Sequence, residues 1–291
     1  MGRDGKYLLK TLENVKIRDL LMKNRLRLLL NKLFGKFGIQ TIRIYELKYV
    51  KDKHREAVGQ LVDLIRESLF TNIKHDSRRN DLLTQLYGTS VGEALYIIFY
   101  LIKTFKIKGD VCEFGIANGS TSALIANEIM NTSKHLWLFD SFQGLSRPTE
   151  KDILIDDIFN LGSMGEYEST MSYPDTYVKS KLKNIKFPKN RTHITSGYIE
   201  NMKDKKFPKK VSFAYIDFDL YIPTKFALEY LHKSMSKGGY IVVDDYDYFS
   251  KGVKTAVDEF IKKRLNDYEL ILPLKFAGKF CMIHKKINRG T

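Results

Sequence analysis

The sequence predicts an α/β fold with a mostly parallel sheet, and three features of one stretch carry this prediction. Two runs rich in β-branched and aromatic residues, 211–216 and 240–243, have the composition of buried strands. Between them, Ala227, Leu228, Leu231 and Met235 recur at helical spacing and form an apolar face. A strand, a helix and a second strand in this order build two neighbouring parallel strands.

Local signals predict where the helix of this unit begins and ends. Pro223 is expected at its first position, where the missing backbone N–H costs nothing. Gly238 and Gly239 are expected to end it, because glycine readily takes the left-handed conformation common at helix C-termini. The helix is therefore predicted between Pro223 and the glycine pair.

Two pairs of carboxylates follow the predicted strands. Asp217 and Asp219 come after the first strand, and Asp244 and Asp245 come after the second. The carboxyl ends of parallel strands meet at one edge of the sheet, where open α/β sheets bind ligands. Carboxylates gathered there repel one another unless a cation or shared protons offset their charge, and Mg²⁺, Mn²⁺ or Ca²⁺ prefer such oxygen ligands. Capping of turns is the alternative role, but two pairs at matching strand ends favour a site.

An earlier segment predicts a second part of the site. Residues 111–114 have the pattern of a strand, Gly115 and Gly119 form a turn, and a helix is expected over 122–130. The glycines let the backbone approach a ligand closely, and the helix N-terminus offers free N–H groups. The turn lacks the Gly-Lys-Ser/Thr sequence of a phosphate-binding loop.

The next predicted strand, 136–139, ends in Asp140, about 20 residues beyond the glycine turn. Nucleoside-binding folds of this kind place an acid there on the ribose hydroxyls. Glu113, at the end of the preceding strand, would repel a phosphate and suits a ligand that carries an ammonium group. Adenosine with an amino-acid tail describes S-adenosylmethionine, which is the predicted cofactor.

The N-terminal third is predicted to be helical and basic. Apolar residues recur at helical spacing in 8–34, 55–70 and 90–105, and Ser90 with Glu93 forms a capping signal for the third helix. Residues 1–105 are therefore predicted as a basic helical extension, and residues 106–291 as the ligand-binding α/β domain. The segment 145–174 is a long insertion, expected to be either a lid over the site or a plain surface loop.

Net charge and cysteine content limit which partners and which cellular compartment are expected. The net charge is +15, and residues 1–56 hold 15 Lys/Arg against 6 Asp/Glu. A solvated basic face, attraction to an anionic surface and nucleic-acid binding compete as explanations; no basic–aromatic module supports the last, so no nucleic-acid partner is expected. Cys112 and Cys281 are predicted as buried thiols, and no signal peptide is expected. A cytoplasmic protein with possible peripheral membrane contact is predicted, and a homodimer is expected.

Six sequence blocks in a fixed order carry a family resemblance. They are EFGIANGSTS, LFDSFQGL, SGYIEN, IDFDLYIPT, GGYIVVDDY and GVKTAVDEF, between about residues 109 and 261. In this order they resemble the macrocin O-methyltransferase family, a family of class I S-adenosylmethionine-dependent enzymes that methylate sugar hydroxyls. The resemblance implies a Rossmann-like, mostly parallel seven-stranded sheet preceded by the N-terminal helical extension.

The resemblance also implies roles for single residues. It implies Mg²⁺, or Mn²⁺ in its place, held by Asp217, Asp244 and Asp245, and a general base at Asp219. The implied cofactor-binding residues are Glu113, Gly115, Thr121, Asp140 and Ser141.

The expected function is methyl transfer to a sugar hydroxyl of a surface polysaccharide, a glycolipid or a glycosylated metabolite. Methylation of a catechol or another aromatic diol is the alternative within the same class. A non-catalytic basic scaffold that binds membrane or nucleic acid is the alternative from another class, and it has no need of four aligned carboxylates.

Overall fold

The computed structural model describes residues 47–202 and 207–287, so the predicted basic helix at 8–34 lies outside the described residues. Within the described residues, three helices precede the sheet: α1 Leu47–Ser68, α2 Ser77–Leu83 and α3 Val91–Lys103. The predicted cap of α3 is confirmed, because the Ser90 hydroxyl accepts a 3.1 Å hydrogen bond from the backbone N–H of Glu93. This bond satisfies one of the backbone donors that every helix start leaves free.

Strands and helices then alternate along the chain. They are β1 Asp110–Phe114, α4 Ser120–Glu128, β2 Leu136–Asp140, α5 Thr176–Asn184, β3 Thr192–Ser196, β4 Val211–Ile216, α6 Tyr221–Ser234, β5 Met235–Val243, α7 Lys251–Lys262, β6 Tyr268–Ile271 and β7 Cys281–Lys285. The strands form one seven-stranded sheet in the order β3-β2-β1-β4-β5-β7-β6. Only β7 breaks the parallel arrangement, since it pairs antiparallel with both β5 and β6. The predicted mostly parallel α/β sheet is confirmed.

The predicted ends of helix α6 are wrong. The helix begins at Tyr221, so Pro223 occupies its third position, and it ends at Ser234. Gly238 and Gly239 lie inside β5, which pairs with β4 from Met235 onward with a register shift. A Cβ on residue 239 would lie 2.8 Å from the carbonyl oxygen of Ser212. The close approach of β4 and β5 therefore requires Gly239. This glycine is not what ends α6.

Helices cover both faces of the sheet. On one face, α3 and α4 bury Leu95 and Leu124 against Val111 and Tyr215 of the sheet. On the other face, α6 and α7 bury apolar residues such as Leu228 against the alternate strand positions. Each such side chain contributes roughly 1.5–3 kcal/mol when it leaves water. Cys112 and Cys281 are buried free thiols, as predicted. No helix in the described ranges is long and apolar enough to cross a bilayer.

The insertion after β2 is anchored to the helices beside it. Its residue Asp152 accepts a 2.7 Å hydrogen bond from the backbone N–H of Tyr221, at the start of α6. A Cβ on Gly252, in the first turn of α7, would lie 1.8 Å from the same carboxylate oxygen. Leu154 forms an antiparallel bridge with Ser250. The segment therefore forms a packed wall, and its predicted motion as a lid stays a prediction.

Candidate active site

A cavity of about 330 Å³ opens at the carboxyl ends of the parallel strands, where the sequence predicted a site. Most of the predicted site residues line it. They are Gly115, Asp140, Ser141, Asp217, Asp219, Asp244 and Asp245. Glu113 and Thr121 do not line it and lie buried behind its wall. The cavity therefore joins the ends of β1 and β2, predicted for the cofactor, to the ends of β4 and β5.

Asp140 fastens the glycine turn to the end of β2. One oxygen accepts hydrogen bonds from the backbone N–H groups of Ile116 (2.7 Å) and Ala117 (3.3 Å), and the other accepts from Phe142 (2.7 Å). Burial raises the pKa of Asp140, and these three donors oppose the shift. A carboxylate has about four lone-pair sites, so Asp140 keeps capacity for a ligand hydroxyl.

Gly115 and Ser141 give the same wall its shape. Gly115 has φ of +84°, and a Cβ there would lie 1.8 Å from the carbonyl oxygen of Asp217. Only glycine therefore lets the turn after β1 pass so close to the end of β4. The Ser141 hydroxyl donates to the carbonyl of Gly144 (2.8 Å) and accepts from the Gln143 N–H (2.9 Å), which closes the turn after β2.

Two predicted cofactor residues lie behind this wall. Both carboxylate oxygens of Glu113 are buried without a normal hydrogen bond to any described residue. Burial raises the pKa of Glu113 to about 8, against a smaller opposing effect of the Ser122 hydroxyl. Thr121 lies in the first turn of α4, where its hydroxyl is 3.1 Å from that of Thr89. Glu113 is thus a buried acid in need of a partner, while Thr121 already has one.

The other side of the cavity holds the four carboxylates that follow β4 and β5. Burial raises the pKa of all four, that of Asp244 to about 6, and the Asp244 charge adds to the shifts of Asp217 and Asp245. No Lys, Arg or His of the described chain lines the cavity. The acids therefore face one another without a positive side chain to offset their charge.

The backbone at two of these four acids is in the left-handed region. Asp219 has φ of +62° and Asp245 has φ of +54°. Non-glycine residues seldom adopt such angles, although Asp tolerates them better than most residues. Backbone strain of this kind clusters at functional sites, where surrounding structure enforces it. The loops after β4 and β5 thus aim their carboxylates at a cost in local conformation.

The donor set suits a hard divalent cation, although its oxygen atoms are not gathered around one point. Across residues 47–202 and 207–287, no three Asp, Glu, His or Cys side chains are arranged as a ready-made metal centre. Asp219 and Asp245 hydrogen-bond to each other. Asp244 accepts from the Asp245 N–H (2.7 Å) and lies 3.1 Å from the Tyr215 hydroxyl. Four half-buried carboxylates without a positive partner nevertheless match the chemistry of Mg²⁺ or Mn²⁺.

Further residues that line the cavity were not predicted. Tyr87, before α3, and Tyr173, after the insertion, line it with their ring centroids 6.0 Å apart. Ile158 and Phe159 of the insertion line it as well. These residues lie far from the strand ends in the sequence, so no local pattern marks them. Tyr198 also lines the cavity. It belongs to the SGYIEN block, but that block predicted no role for it.

The strand order, the glycine turn after β1 and the acid after β2 define a class I methyltransferase fold. The chain belongs to the macrocin-O-methyltransferase (TylF) family, whose model matches residues 92–275. This confirms the predicted family, whose members are S-adenosylmethionine-dependent enzymes. The match includes α3, which lies N-terminal to the predicted boundary at residues 105 and 106.

The chain is similar to two proteins named as O-methyltransferases. The 8-demethyl-8-(2,3-dimethoxy-alpha-L-rhamnosyl)-tetracenomycin-C 4'-O-methyltransferase of Streptomyces olivaceus is 23% identical over 143 residues, 48% of this chain and 54% of the relative. The demethyldecarbamoylnovobiocin O-methyltransferase of Streptomyces niveus is 25% identical over 163 residues, 54% of this chain and 60% of the relative. The chain therefore spans little more than half the length of these relatives.

Solved structures share the fold. The O-methyltransferase NovP superposes with a TM-score of 0.58 at 20% identity, over 68% of this chain and 81% of NovP. A calicheamicin methyltransferase superposes with a TM-score of 0.54 at 17% identity, over 84% of this chain and 99% of that protein. At these identities the likeness establishes the class I methyltransferase fold and nothing finer.

Proposed function

We propose that this protein is an S-adenosylmethionine-dependent O-methyltransferase that methylates a sugar hydroxyl of a surface polysaccharide, a glycolipid or a glycosylated metabolite. One observation carries the proposal. A single cavity joins the glycine turn and Asp140 to four carboxylates at the next two strand ends. Membership of the macrocin-O-methyltransferase family supports it, as do the glycoside substrates named for the relatives.

The cofactor is proposed to bind along the ends of β1 and β2. Asp140 would accept hydrogen bonds from the ribose hydroxyls, beside Gly115 and Ser141, which line the same wall. Glu113 suits the ammonium group of the methionine part, because its buried oxygens have no normal hydrogen bond within the described residues. Thr121 would act indirectly, since it supports the helix N-terminus from beneath the cavity.

Asp217, Asp244 and Asp245 are proposed to hold Mg²⁺ or Mn²⁺. Such a cation, when bound, lowers the pKa of an acceptor hydroxyl and orients it. Asp219 lies in the same cavity and is proposed as the general base. Bound S-adenosylmethionine would supply the methyl group, whose carbon–sulfur bond would break as the acceptor oxygen bonds to it. Asp219 would take the proton from the acceptor hydroxyl, and S-adenosylhomocysteine would be the leaving group.

A catechol or another aromatic diol is the second candidate acceptor. The aromatic lining favours it, since Tyr87, Tyr173 and Phe159 offer flat apolar surface to a ring. The same lining would serve a sugar attached to an aromatic group. The acid cluster counts against a non-catalytic basic scaffold, which gains nothing from four half-buried carboxylates. Membrane contact through the basic N-terminus, dimerisation and cytoplasmic location stay predictions.

Two measurements test this function. Calorimetry should detect S-adenosylmethionine binding to the full chain with and without Mg²⁺. Mass spectrometry should then detect methyl transfer to members of a panel of aryl rhamnosides and catechols, and a chelator should abolish it. Failure to bind S-adenosylmethionine would overturn the proposed function. Transfer to catechols alone would replace the sugar acceptor by the aromatic one.

A further inference from the structure

A buried tyrosine lies directly beneath the proposed cation ligands. Tyr215 is the penultimate residue of β4 and is fully buried. Its hydroxyl oxygen lies 3.1 Å from Oδ2 of Asp244, 3.5 Å from Oδ2 of Asp217 and 3.2 Å from Oε1 of Glu93. Neither the family resemblance nor the strand-end pattern assigned a role to Tyr215 or Glu93.

The sheet geometry explains why this hydroxyl reaches both acids. Side chains two residues apart on a strand point to the same face, so Tyr215 lies beneath Asp217. In the parallel register, Tyr215 pairs with Val242 of β5, and Asp244 follows two residues later. The phenol therefore stands between the ends of the two strands that carry the acids. No other tyrosine in the described strands occupies such a position.

Glu93 closes this arrangement from the helix side. It lies in the first turn of α3, is only 4% exposed, and contacts both the Tyr215 hydroxyl and the Asp244 carboxylate. A phenol can donate only one hydrogen bond, yet three acidic groups surround this one. Each side chain of this group therefore has its position fixed by contacts with the others. A buried polar network of this kind specifies orientation more than it adds stability.

We propose that Tyr215 and Glu93 are positioning residues that hold Asp217 and Asp244 in the orientation required for a divalent cation. The inference rests on the proposed function, because it supports carboxylates that the proposal assigns to the cation. Outer partners of this kind orient metal-binding carboxylates and tune their affinity. A site residue would then come from α3, which precedes the predicted boundary of the catalytic domain.

The competing explanation is that this pair only packs α3 against the sheet. In that case, loss of the hydroxyl would lower the melting temperature and leave cation affinity unchanged. The two explanations therefore differ in one measurable quantity, the affinity for a divalent cation at a fixed state of folding. Mn²⁺ serves as the test ion because its electron paramagnetic resonance reports binding without any acceptor or turnover.

The first test is Tyr215→Phe in the full chain, which removes the hydroxyl and keeps the ring. We expect Mn²⁺ affinity to fall by about 10- to 100-fold. S-adenosylmethionine affinity should stay within about twofold, because the cofactor contacts a different wall. Raising Mn²⁺ should restore part of the turnover. Tyr268→Phe is the matched control, because this buried sheet tyrosine contacts His232 and neither of the two residues lines the cavity.

Glu93→Gln is the second variant and carries the test if Tyr215→Phe does not fold. It keeps the size of the side chain while removing its charge and its acid proton, and we expect about tenfold weaker Mn²⁺ binding. Wild-type affinity for Mn²⁺ in a folded variant would overturn the inference alone. Parallel loss of cofactor and Mn²⁺ binding would also overturn it, since that result marks a purely structural role. Absence of Mn²⁺ binding in the wild type would overturn the proposed cation and this inference together.

Discussion

The two halves of the cavity use the same residue type in opposite ways. At the ends of β1 and β2, Asp140 accepts hydrogen bonds from three backbone N–H groups. At the ends of β4 and β5, four carboxylates receive one backbone hydrogen bond between them, from Asp245, within the described chain. Backbone donors therefore offset part of the cost of burying Asp140, whereas the four acids need a partner from outside. We infer that the first half is preformed and the second is completed by binding.

Substitutions in the half with four acids should have the largest effect. Asp217→Asn, Asp244→Asn and Asp245→Asn should each lower turnover by at least about 10³-fold, because a catalytic cation supplies several kcal/mol and each 1.36 kcal/mol is tenfold in rate. Affinity for S-adenosylmethionine should stay within about twofold. Methyl transfer and calorimetry measure the two quantities.

Asp247→Asn is the matched control for these variants. Asp247 shares the left-handed backbone of Asp245 but pairs with Lys254 and does not line the cavity. It should keep nearly full turnover. Full methyl transfer by the wild type in excess chelator would contradict the cation and the contrast between the two halves.

Asp219→Asn should give the next largest loss of turnover. This variant also distinguishes a general base from a cation ligand. We expect a loss of about 10²–10⁴-fold in turnover, the usual contribution of a general base. Mn²⁺ affinity should change little, because Asp219 is not among the proposed ligands. Paramagnetic resonance on the same protein samples measures this affinity. If Mn²⁺ binding fell as far as in Asp217→Asn, Asp219 would be a ligand and not the base.

Asp140→Ala tests the half that the backbone completes. Loss of a charged hydrogen-bond acceptor costs about 1.5–3 kcal/mol, which corresponds to S-adenosylmethionine binding weaker by about 10- to 100-fold. Mn²⁺ affinity should not change. Calorimetry checks both, and Asp140→Asn should lie between the variant and the wild type because one oxygen acceptor remains. Unchanged cofactor affinity in a folded Asp140→Ala protein would remove Asp140 from the site.

Glu113→Gln should change the protein least among these variants, and the change in its melting temperature should depend on pH. Burial raises the pKa of Glu113 in the folded protein from 4.5 to about 8. Its contribution to stability is therefore complete below the unfolded pKa and is lost as pH rises toward 8. The glutamine variant does not titrate, so its melting temperature should gain on that of the wild type between pH 5 and 8. A constant difference in melting temperature between variant and wild type across this range would contradict the raised pKa of Glu113.

Patterns within single segments predicted much of this molecule. The bounds of β4 were predicted to the residue, because a mostly apolar run lies between Lys210 and Asp217. The four acids at the cavity followed from the same logic, since parallel strands end at one edge. The end of α6 was predicted wrongly, because a glycine pair marks both helix ends and close strand contacts. The sequence alone does not distinguish a glycine pair that ends a helix from one that lets two strands approach closely.

Contacts across long separations were beyond sequence patterns. Tyr215 and Glu93 are 122 residues apart, and each fits its own element without the other. Tyr215 has the composition of a strand residue, and Glu93 that of a helix cap. Thr121 was placed in the cofactor site by resemblance, yet its side chain points toward Thr89 beneath the cavity. Side-chain direction depends on how α4 packs, which one segment does not encode.

The anchored start of the insertion bears on how acceptor specificity can be re-engineered. Asp152 joins the insertion to the beginnings of α6 and α7, where Gly252 leaves just enough room for its carboxylate. A chimera that exchanges residues 158–171 would import a relative's cavity wall and leave this junction intact. A chimera that exchanges residues 145–174 would also replace Asp152, which is the insertion's part of the junction. Successful exchanges of the longer segment should therefore require the matching residues at the starts of both helices.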